Sequence, residues 1–140
     1  MADARDPPTP AGKGPVRWVI DASNVIGARP DGWWRDRGGA ARRLHDALRR
    51  FSDGTGEEVV LVLDGSVSGL QEGTSGRLTI VASPTRRRNA ADDEIVRLVG
   101  EEPAPGRLRV VTSDASLAER VRRLGASVEG AGTFRRRISA

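Results

Sequence analysis

The chain has 140 residues, a length that suits one domain with its own hydrophobic core. It contains no cysteine, which excludes disulfides, thiolate metal sites and cysteine nucleophiles. Lysine and arginine number 23 against 19 aspartates and glutamates, and the net charge of +4 permits a nucleic-acid partner without requiring one. We recognise no signal peptide and no membrane-spanning segment, so the expectation is a soluble cytoplasmic protein with no membrane contact.

Strands and helices are predicted to alternate along most of the chain. Residues 1–15 are rich in proline and glycine and are predicted to form a disordered leader, followed by one domain over residues 16–140. Short apolar runs predict strands, and apolar residues at helical spacing predict helices. In chain order these are a strand at 17–20, a helix at 39–51, strands at 58–63 and 78–82, a helix at 90–99, a strand at 108–112, a helix at 117–124 and a short strand at 127–129. Strands that are apolar on both faces and separated by helices indicate an α/β fold with a parallel sheet.

Acidic residues recur where the predicted strands end. Asp21, Asp64 and Asp114 each follow such a strand, and the run Asp92-Asp93-Glu94 opens the helix after strand 78–82. In a parallel sheet these positions share one edge, where ligands of α/β folds bind. Carboxylates packed together repel one another, so the cluster predicts a bound cation. Oxygen ligands without histidine or cysteine favour Mg²⁺ or Mn²⁺.

Each of these acids also has a purely structural interpretation. Asp21 and Asp64 suit turns at the ends of strands. Other residues suit the caps of the helices that follow: Asn89 with Asp92, Asp114, and a capping box of Ser116 with Glu119. The recurrence of acids at one edge favours a metal site over several independent turns and caps.

The acidic motifs resemble those of the NYN branch of the PIN-like nuclease superfamily. The segment IDASNVI at residues 20–26 resembles the opening NYN signature, in which an aspartate ends the first strand and an asparagine follows three residues later. The segment ADDEI at 91–95 resembles the acidic helix start of the bacterial NYN branch, and TSD at 112–114 resembles its next strand end. The resemblance implies a PIN-like three-layer α/β/α sandwich with a mainly parallel central sheet. It also implies a metal-dependent endoribonuclease that cleaves single-stranded or structured RNA.

Carried over position by position, the resemblance implies roles for individual residues. The catalytic set is Asp21, Asn24, Asp92 and Asp114. The metal-binding set is Asp21, Asp64, Asp92, Asp93 and Asp114. The asparagine would orient Asp21 or a phosphate. A cation held there would lower the pKa of a bound water and neutralise charge on the scissile phosphate.

One position departs from the family pattern. Ala118 lies one helical turn after Asp114, where many PIN-like nucleases have another acid. The alternative function is therefore a catalytically weak or inactive RNA-binding or adaptor protein on the same fold. Two enzyme classes fit less well. A haloacid dehalogenase phosphatase needs an acid where Ser23 stands, and the motifs of dinucleotide-binding and P-loop proteins are absent from the sequence.

Basic and aromatic residues near the acidic edge are candidates for RNA contacts. The set comprises Trp33, Trp34, Arg35, Arg86, Arg87, Arg88 and Ser113. The three consecutive arginines would bind the phosphates of the RNA backbone, and an exposed loop with no binding role is an equally good interpretation of them. The paired tryptophans would stack on unpaired bases, although packing against the sheet edge is expected for one of them. The ribosome and a second copy of the chain are further partners that the resemblance allows.

Overall fold

The computed structural model of the protein describes residues 16–29, 31–85, 87 and 89–138. The leader predicted for residues 1–15 lies outside this range. The elements in chain order are β1 (Arg17–Asp21), α1 (Ala22–Gly27), α2 (Arg37–Thr55), β2 (Glu58–Leu63), β3 (Gly73–Ser75), β4 (Leu78–Ala82), α3 (Ala90–Glu101), β5 (Leu108–Val111), α4 (Ala115–Arg123), β6 (Ser127–Glu129) and α5 (Ala131–Ile138). Short 3₁₀ turns at Trp33–Arg35 and Pro105–Arg107 precede α2 and β5. None of the helices in the described part of the chain is long and apolar enough to span a membrane.

The strands form one sheet in the order β3-β4-β2-β1-β5-β6. All neighbouring pairs are parallel except β3 with β4, which form an antiparallel edge. β1 lies between β2 and β5, with Ile20 opposite Leu61 on one side and Val111 on the other. The strand order therefore reverses beside β1, and the crevice beyond such a reversal is where open α/β sheets bind ligands.

Helices cover both faces of the sheet. Successive residues of each strand point to opposite sides, so each strand contributes side chains to two separate cores. Trp18 and Ile20 of β1 pack into a core with α1, α2 and α5, whereas Val19 packs into a second core with α3 and α4. A strand that is buried on both faces has a continuous apolar sequence, and β2 is an example. This arrangement confirms the predicted three-layer α/β/α sandwich.

Three elements were not predicted from the sequence. α1 has only six residues and starts where β1 ends, so it is too short to display a helical period. The residues of β3 are polar and exposed, and they pair only with β4. α5 buries Ala131 and Phe134 and otherwise carries polar residues, which gave too weak an apolar pattern. The observed helices also extend beyond their predicted bounds. α2, for example, starts at Arg37 instead of residue 39, because the side chain of Asp36 caps it by accepting a hydrogen bond from Gly39 N at 2.9 Å.

The starts of α3 and α4 correct two predictions about caps. The cap of α4 is Asp114, whose Oδ1 accepts a hydrogen bond from Leu117 N at 3.0 Å, so the capping box expected for Ser116 with Glu119 is wrong. Asn89 does occupy the N-cap position of α3, with a left-handed φ of 69°, but its side chain makes no capping hydrogen bond. Asn89 is thus the cap residue, as predicted, but the side-chain hydrogen bond expected of a cap pair with Asp92 is not formed.

Candidate active site

Asp21 is a buried carboxylate held by three side chains at the carboxyl end of β1. Only 1% of the residue is exposed. Its Oδ2 accepts hydrogen bonds from Asn24 Nδ2 at 2.8 Å and from Thr112 Oγ1 at 3.0 Å. Its Oδ1 accepts one from Ser23 Oγ at 3.3 Å. These donors fix the carboxylate in one orientation at the reversal of strand order.

Asn24 and Thr112 connect Asp21 to the chain that follows β5. Asn24 Oδ1 accepts a hydrogen bond from Ser113 N at 3.1 Å, so one amide group bridges the ends of two neighbouring strands. Thr112 Oγ1 donates to Asp21 and accepts from Asp114 N at 3.1 Å. The sequence interpretation missed Thr112, although a hydroxyl residue just before a strand-end aspartate was a visible signal.

The charge of Asp92 acts on Asp21 on one side and interacts with the charge of Asp114 on the other. The pKa of Asp21 is raised to about 6, because burial and the charge of Asp92 outweigh the lowering effect of the hydrogen bonds from Thr112, Ser23 and Asn24. Burial also raises the pKa of Asp92, with added repulsion from Asp114 and Asp93 and partial relief from Arg120. The structure thus brings three acids predicted to be catalytic into one electrostatically coupled group.

The donor set fits a divalent cation that keeps part of its water shell. All candidate ligands are carboxylate oxygens, the chemistry that Mg²⁺ and Mn²⁺ prefer. Across the described residues, no three histidine, cysteine, aspartate or glutamate side chains are close enough to form a preassembled metal cage. Mg²⁺ commonly binds through one or two carboxylates and several waters, so the coupled acids suit such an ion better than a fully dehydrated one.

The other two predicted metal ligands lie at the margin of this group. Asp93 is exposed and forms ion pairs with Arg87 at 3.8 Å and Arg120 at 3.5 Å. Asp64 is half-buried and lines a cavity of about 210 Å³ together with Ser23. Its charge is not among those that shift the pKa of Asp21. Asp64 is connected to Asp21 through the cavity that it shares with Ser23.

The predicted RNA contacts occupy two different surroundings. Trp33 packs against the core beside α1 and α2, whereas Trp34 is 52% exposed and meets Trp33 edge to face at 5.9 Å. The guanidinium of Arg35 lies 6.0 Å from the Trp34 ring centroid. Arg87 is exposed beside the start of α3. The neighbouring Arg86 and Arg88 lie outside the described residues.

Ser113 uses its side chain within the protein. Its Oγ accepts a hydrogen bond from Ala131 N at 2.9 Å, at the start of α5, while its backbone N–H donates to Asn24. The residue itself is exposed and directly precedes Asp114. This contact ties the position of α5 to the edge of the candidate site.

Comparison with known proteins gives a family match and a structural likeness. The model of the YacP-like NYN domain matches residues 18–140. The crystal structure of Rae1 (YacP) from Bacillus subtilis is similar with a TM-score of 0.69 and 24% identity, covering 86% of this chain and 72% of that one. A mutant form of the same protein gives a TM-score of 0.70 and 22% identity, with 88% and 74% covered. At these identities the likeness to solved structures concerns the fold. No curated protein is significantly similar to the chain.

Proposed function

The chain belongs to the YacP-like NYN domain family, and on this premise we propose that it is a divalent-metal-dependent endoribonuclease. Family membership supports a nuclease-type, RNA-related function at the coarse level. The observation that carries the finer proposal is the buried Asp21, held by Asn24 and Thr112 and repelled by Asp92. A buried carboxylate with a raised pKa beside a second acid is the kind of group that a divalent cation would neutralise, and this supports the proposal.

The acids would hold Mg²⁺ or Mn²⁺ through Asp21, Asp92 and Asp114, directly or through water. A divalent cation in such a site supplies a more acidic water and offsets negative charge on the phosphate oxygens. Asn24 and Thr112 keep the Asp21 carboxylate in its orientation, so it does not have to be reorganised when RNA binds. No histidine takes part, since His45 lies on α2 and pairs with Asp46.

RNA contacts in this proposal surround the coupled acids. Arg87 is exposed beside Asp93 and would bind a backbone phosphate. Trp34 has an exposed ring on which an unpaired base can stack, and Arg35 lies over the same ring. Single-stranded RNA presents such bases, so we propose it as the preferred substrate, encountered in the cytoplasm with or without the ribosome.

The test is cleavage of end-labelled single-stranded RNA by the purified protein. We expect internal cuts in Mg²⁺ or Mn²⁺ and none in excess EDTA, with activity restored when the cation is added back. Equal cleavage in EDTA would show that the proposed metal dependence is wrong. Cleavage only from one end would replace the endonuclease with an exonuclease.

The second candidate is a catalytically weak RNA-binding protein on the same fold. It is favoured by Ala118, a buried residue one turn into α4 that provides no carboxylate. RNA binding that is unchanged by EDTA, with no cleavage in either cation, would select this candidate. Placing an acid at position 118 would then be the direct way to look for restored activity.

The hydroxyl of Thr112 provides a focused prediction about positioning. Thr112→Val keeps the shape of the side chain but removes the donor to Asp21 and the acceptor for Asp114 N. Hydrogen bonds to charged groups contribute about 1.5–3 kcal/mol, so we expect cleavage to fall by roughly 10- to 100-fold. The measurement is the single-turnover rate at saturating protein, with RNA affinity in EDTA unchanged.

Thr79→Val is the matched control for that substitution. Thr79 also lies in the sheet, and its hydroxyl is hydrogen-bonded to that of Thr74 across the β3 edge, at 2.8 Å. Thr112→Ser, which keeps the hydroxyl, should recover most of the rate. Equal rates for Thr112→Val and Thr79→Val would remove Thr112 from the positioning of Asp21.

A further inference from the structure

A cavity of about 300 Å³ between α1, α2 and α5 carries a concentration of positive charge. Four arginines from three separate stretches of the chain line it: Arg29, Arg43, Arg50 and Arg135. Among the described lining residues Asp31 is the single acid. We call this space the arginine cavity. Its charge excess is unlike that of the whole chain, where acids and bases nearly balance.

Arg135 shows that the charges in the arginine cavity act on one another. Its side chain is only 21% exposed, and Nη1 donates a hydrogen bond to Val25 O at 3.0 Å. Its Nη2 lies 3.7 Å from the carboxylate of Asp31. Burial lowers the pKa of Arg135, and the positive charges of Arg29 and Arg43 lower it further. An anion in the arginine cavity would relieve this repulsion.

Arg43 and Arg50 are the arginines best placed to receive a ligand. They are seven residues apart on α2, which is close to two helical turns and places them on the same face. Both are exposed, and neither forms an ion pair with an acid of the described chain. Guanidinium groups bind phosphate through paired N–H donors, and a phosphate has enough oxygens to accept from two guanidinium groups at one rim.

The remaining walls of the arginine cavity are apolar and include an aromatic ring. Trp33 lies at the side, and the floor is formed by aliphatic residues: Ile26, Ala40, Leu44, Ala47 and Ile138. A bare inorganic anion gains nothing from such a floor. A nucleotide does, because its base and ribose bring apolar surface together with the phosphate.

The arginine cavity adjoins the candidate active site along α1. Ile26 and Trp33 also line the smaller cavity that reaches Ser23 and Asp64. Ser23 in turn donates to Asp21. Along the axis of α1, Ile26 lies about 8 Å from Asp21. The two cavities therefore share the wall formed by Ile26 and Trp33, and a strand that crosses Trp33 would reach both of them.

We propose that the arginine cavity binds a non-scissile phosphate of the RNA strand, with its nucleotide against Trp33, while the scissile phosphate lies at Asp21. The proposal rests on the proposed function for the identity of the strand. It assigns Arg43 and Arg50 to substrate binding, which no motif in the sequence indicates. The phosphate belongs either to an internal linkage or to a 5′ end, and the two sources are separable by experiment.

The experiment measures the affinity of the full chain for a short 3′-fluorescein oligouridylate in excess EDTA, where the proposed nuclease is silent. Arg43→Gln and Arg50→Gln are compared with Arg122→Gln, which removes the same charge from the exposed far end of α4. We expect either cavity variant to weaken binding by about tenfold. The slope of log affinity against log salt should fall by about 0.7 for each, the value for one lost contact to a single strand.

Each outcome decides the proposal. A loss that is equal for 5′-hydroxyl and 5′-phosphate oligonucleotides supports an internal phosphate, and a loss confined to the 5′-phosphate form supports a terminal one. Affinities indistinguishable from Arg122→Gln for both cavity variants would overturn the proposal. The proposal would also be overturned if uridine monophosphate bound tightly at the arginine cavity while both cavity variants bound RNA with native affinity. Because the assay measures binding in excess EDTA, a protein that never cleaves RNA can still show the expected loss of affinity. A negative result for the arginine cavity is therefore distinguishable from a negative result for the proposed nuclease.

Discussion

Replacing Asp21 by asparagine is expected to lower metal-dependent RNA cleavage by about 1,000-fold or more. Asparagine has nearly the same shape, and its remaining oxygen can still accept the hydrogen bonds that Asn24 and Thr112 donate to Oδ2. Its amide nitrogen can donate to Ser23, whose hydroxyl bonds Oδ1 in the native chain. The substitution therefore removes the negative charge while it leaves the local structure in place. The measurement is the single-turnover rate in Mn²⁺.

Two controls make this result specific. Asp53→Asn removes a carboxylate from the exposed end of α2, which precedes the amino end of β2 and not the carboxyl ends where the acids lie, and the variant should cleave at the native rate. RNA affinity in EDTA should be equal or slightly higher for Asp21→Asn, because a negative charge near the phosphate is lost. Native cleavage by Asp21→Asn would exclude Asp21 from the metal site.

The same substitution is expected to stabilise the metal-free protein at neutral pH. Burial raises the pKa of Asp21 from its ordinary 3.8 to about 6. Between these values the folded chain retains a proton that the unfolded chain has lost, so the free energy of unfolding falls as the pH rises through this window. Above about pH 6 the cost is fully present, on the order of 3 kcal/mol. Asp21→Asn does not bear this cost.

Urea unfolding in EDTA at several pH values tests this prediction. Other carboxylates also titrate, so the informative quantity is the stability of Asp21→Asn minus that of the native chain at each pH. That difference should be near zero at pH 4 and reach its maximum by pH 7. Mn²⁺ at neutral pH should then stabilise the native chain more than the variant. A difference that stays constant with pH would mean that Asp21 is not the source of the cost.

Much of the sheet could be predicted because the parallel strands are buried on both faces. β2 and β4 were placed at their observed bounds, since an apolar run between polar neighbours leaves little choice. β3 is three residues long and exposed, and its side-chain contact with β4, between Thr74 and Thr79, joins two ordinary polar residues that form no apolar pattern in the sequence. α5 depends on packing of Phe134 against Trp18 and Phe51, a contact between distant parts of the chain.

The candidate site could be predicted only where its residues follow strands. Asp21 and Asp114 come directly from strand ends, and Asp92 from the start of a helix on the same side of the sheet. The network that holds them joins residues far apart in sequence, such as Asp21 and Thr112, and becomes visible only when β1 and β5 pair. The arginine cavity is a stronger case, because its members share no motif and meet through the packing of α1, α2 and α5.

Asp114 differs from Asp21 in one respect that bears on how such proteins decay during evolution. Its carboxylate caps α4, a contribution of about 1 kcal/mol that is independent of any chemistry. Asp21 instead destabilises the empty site. In a lineage that is no longer selected for cleavage, Asp21 would be replaced early, because its loss stabilises the fold. At position 114 a residue that caps the helix, such as aspartate, asparagine or serine, would persist. The retention of Asp114 in a relative is therefore a poor diagnostic of an active nuclease, and the retention of Asp21 is a good one.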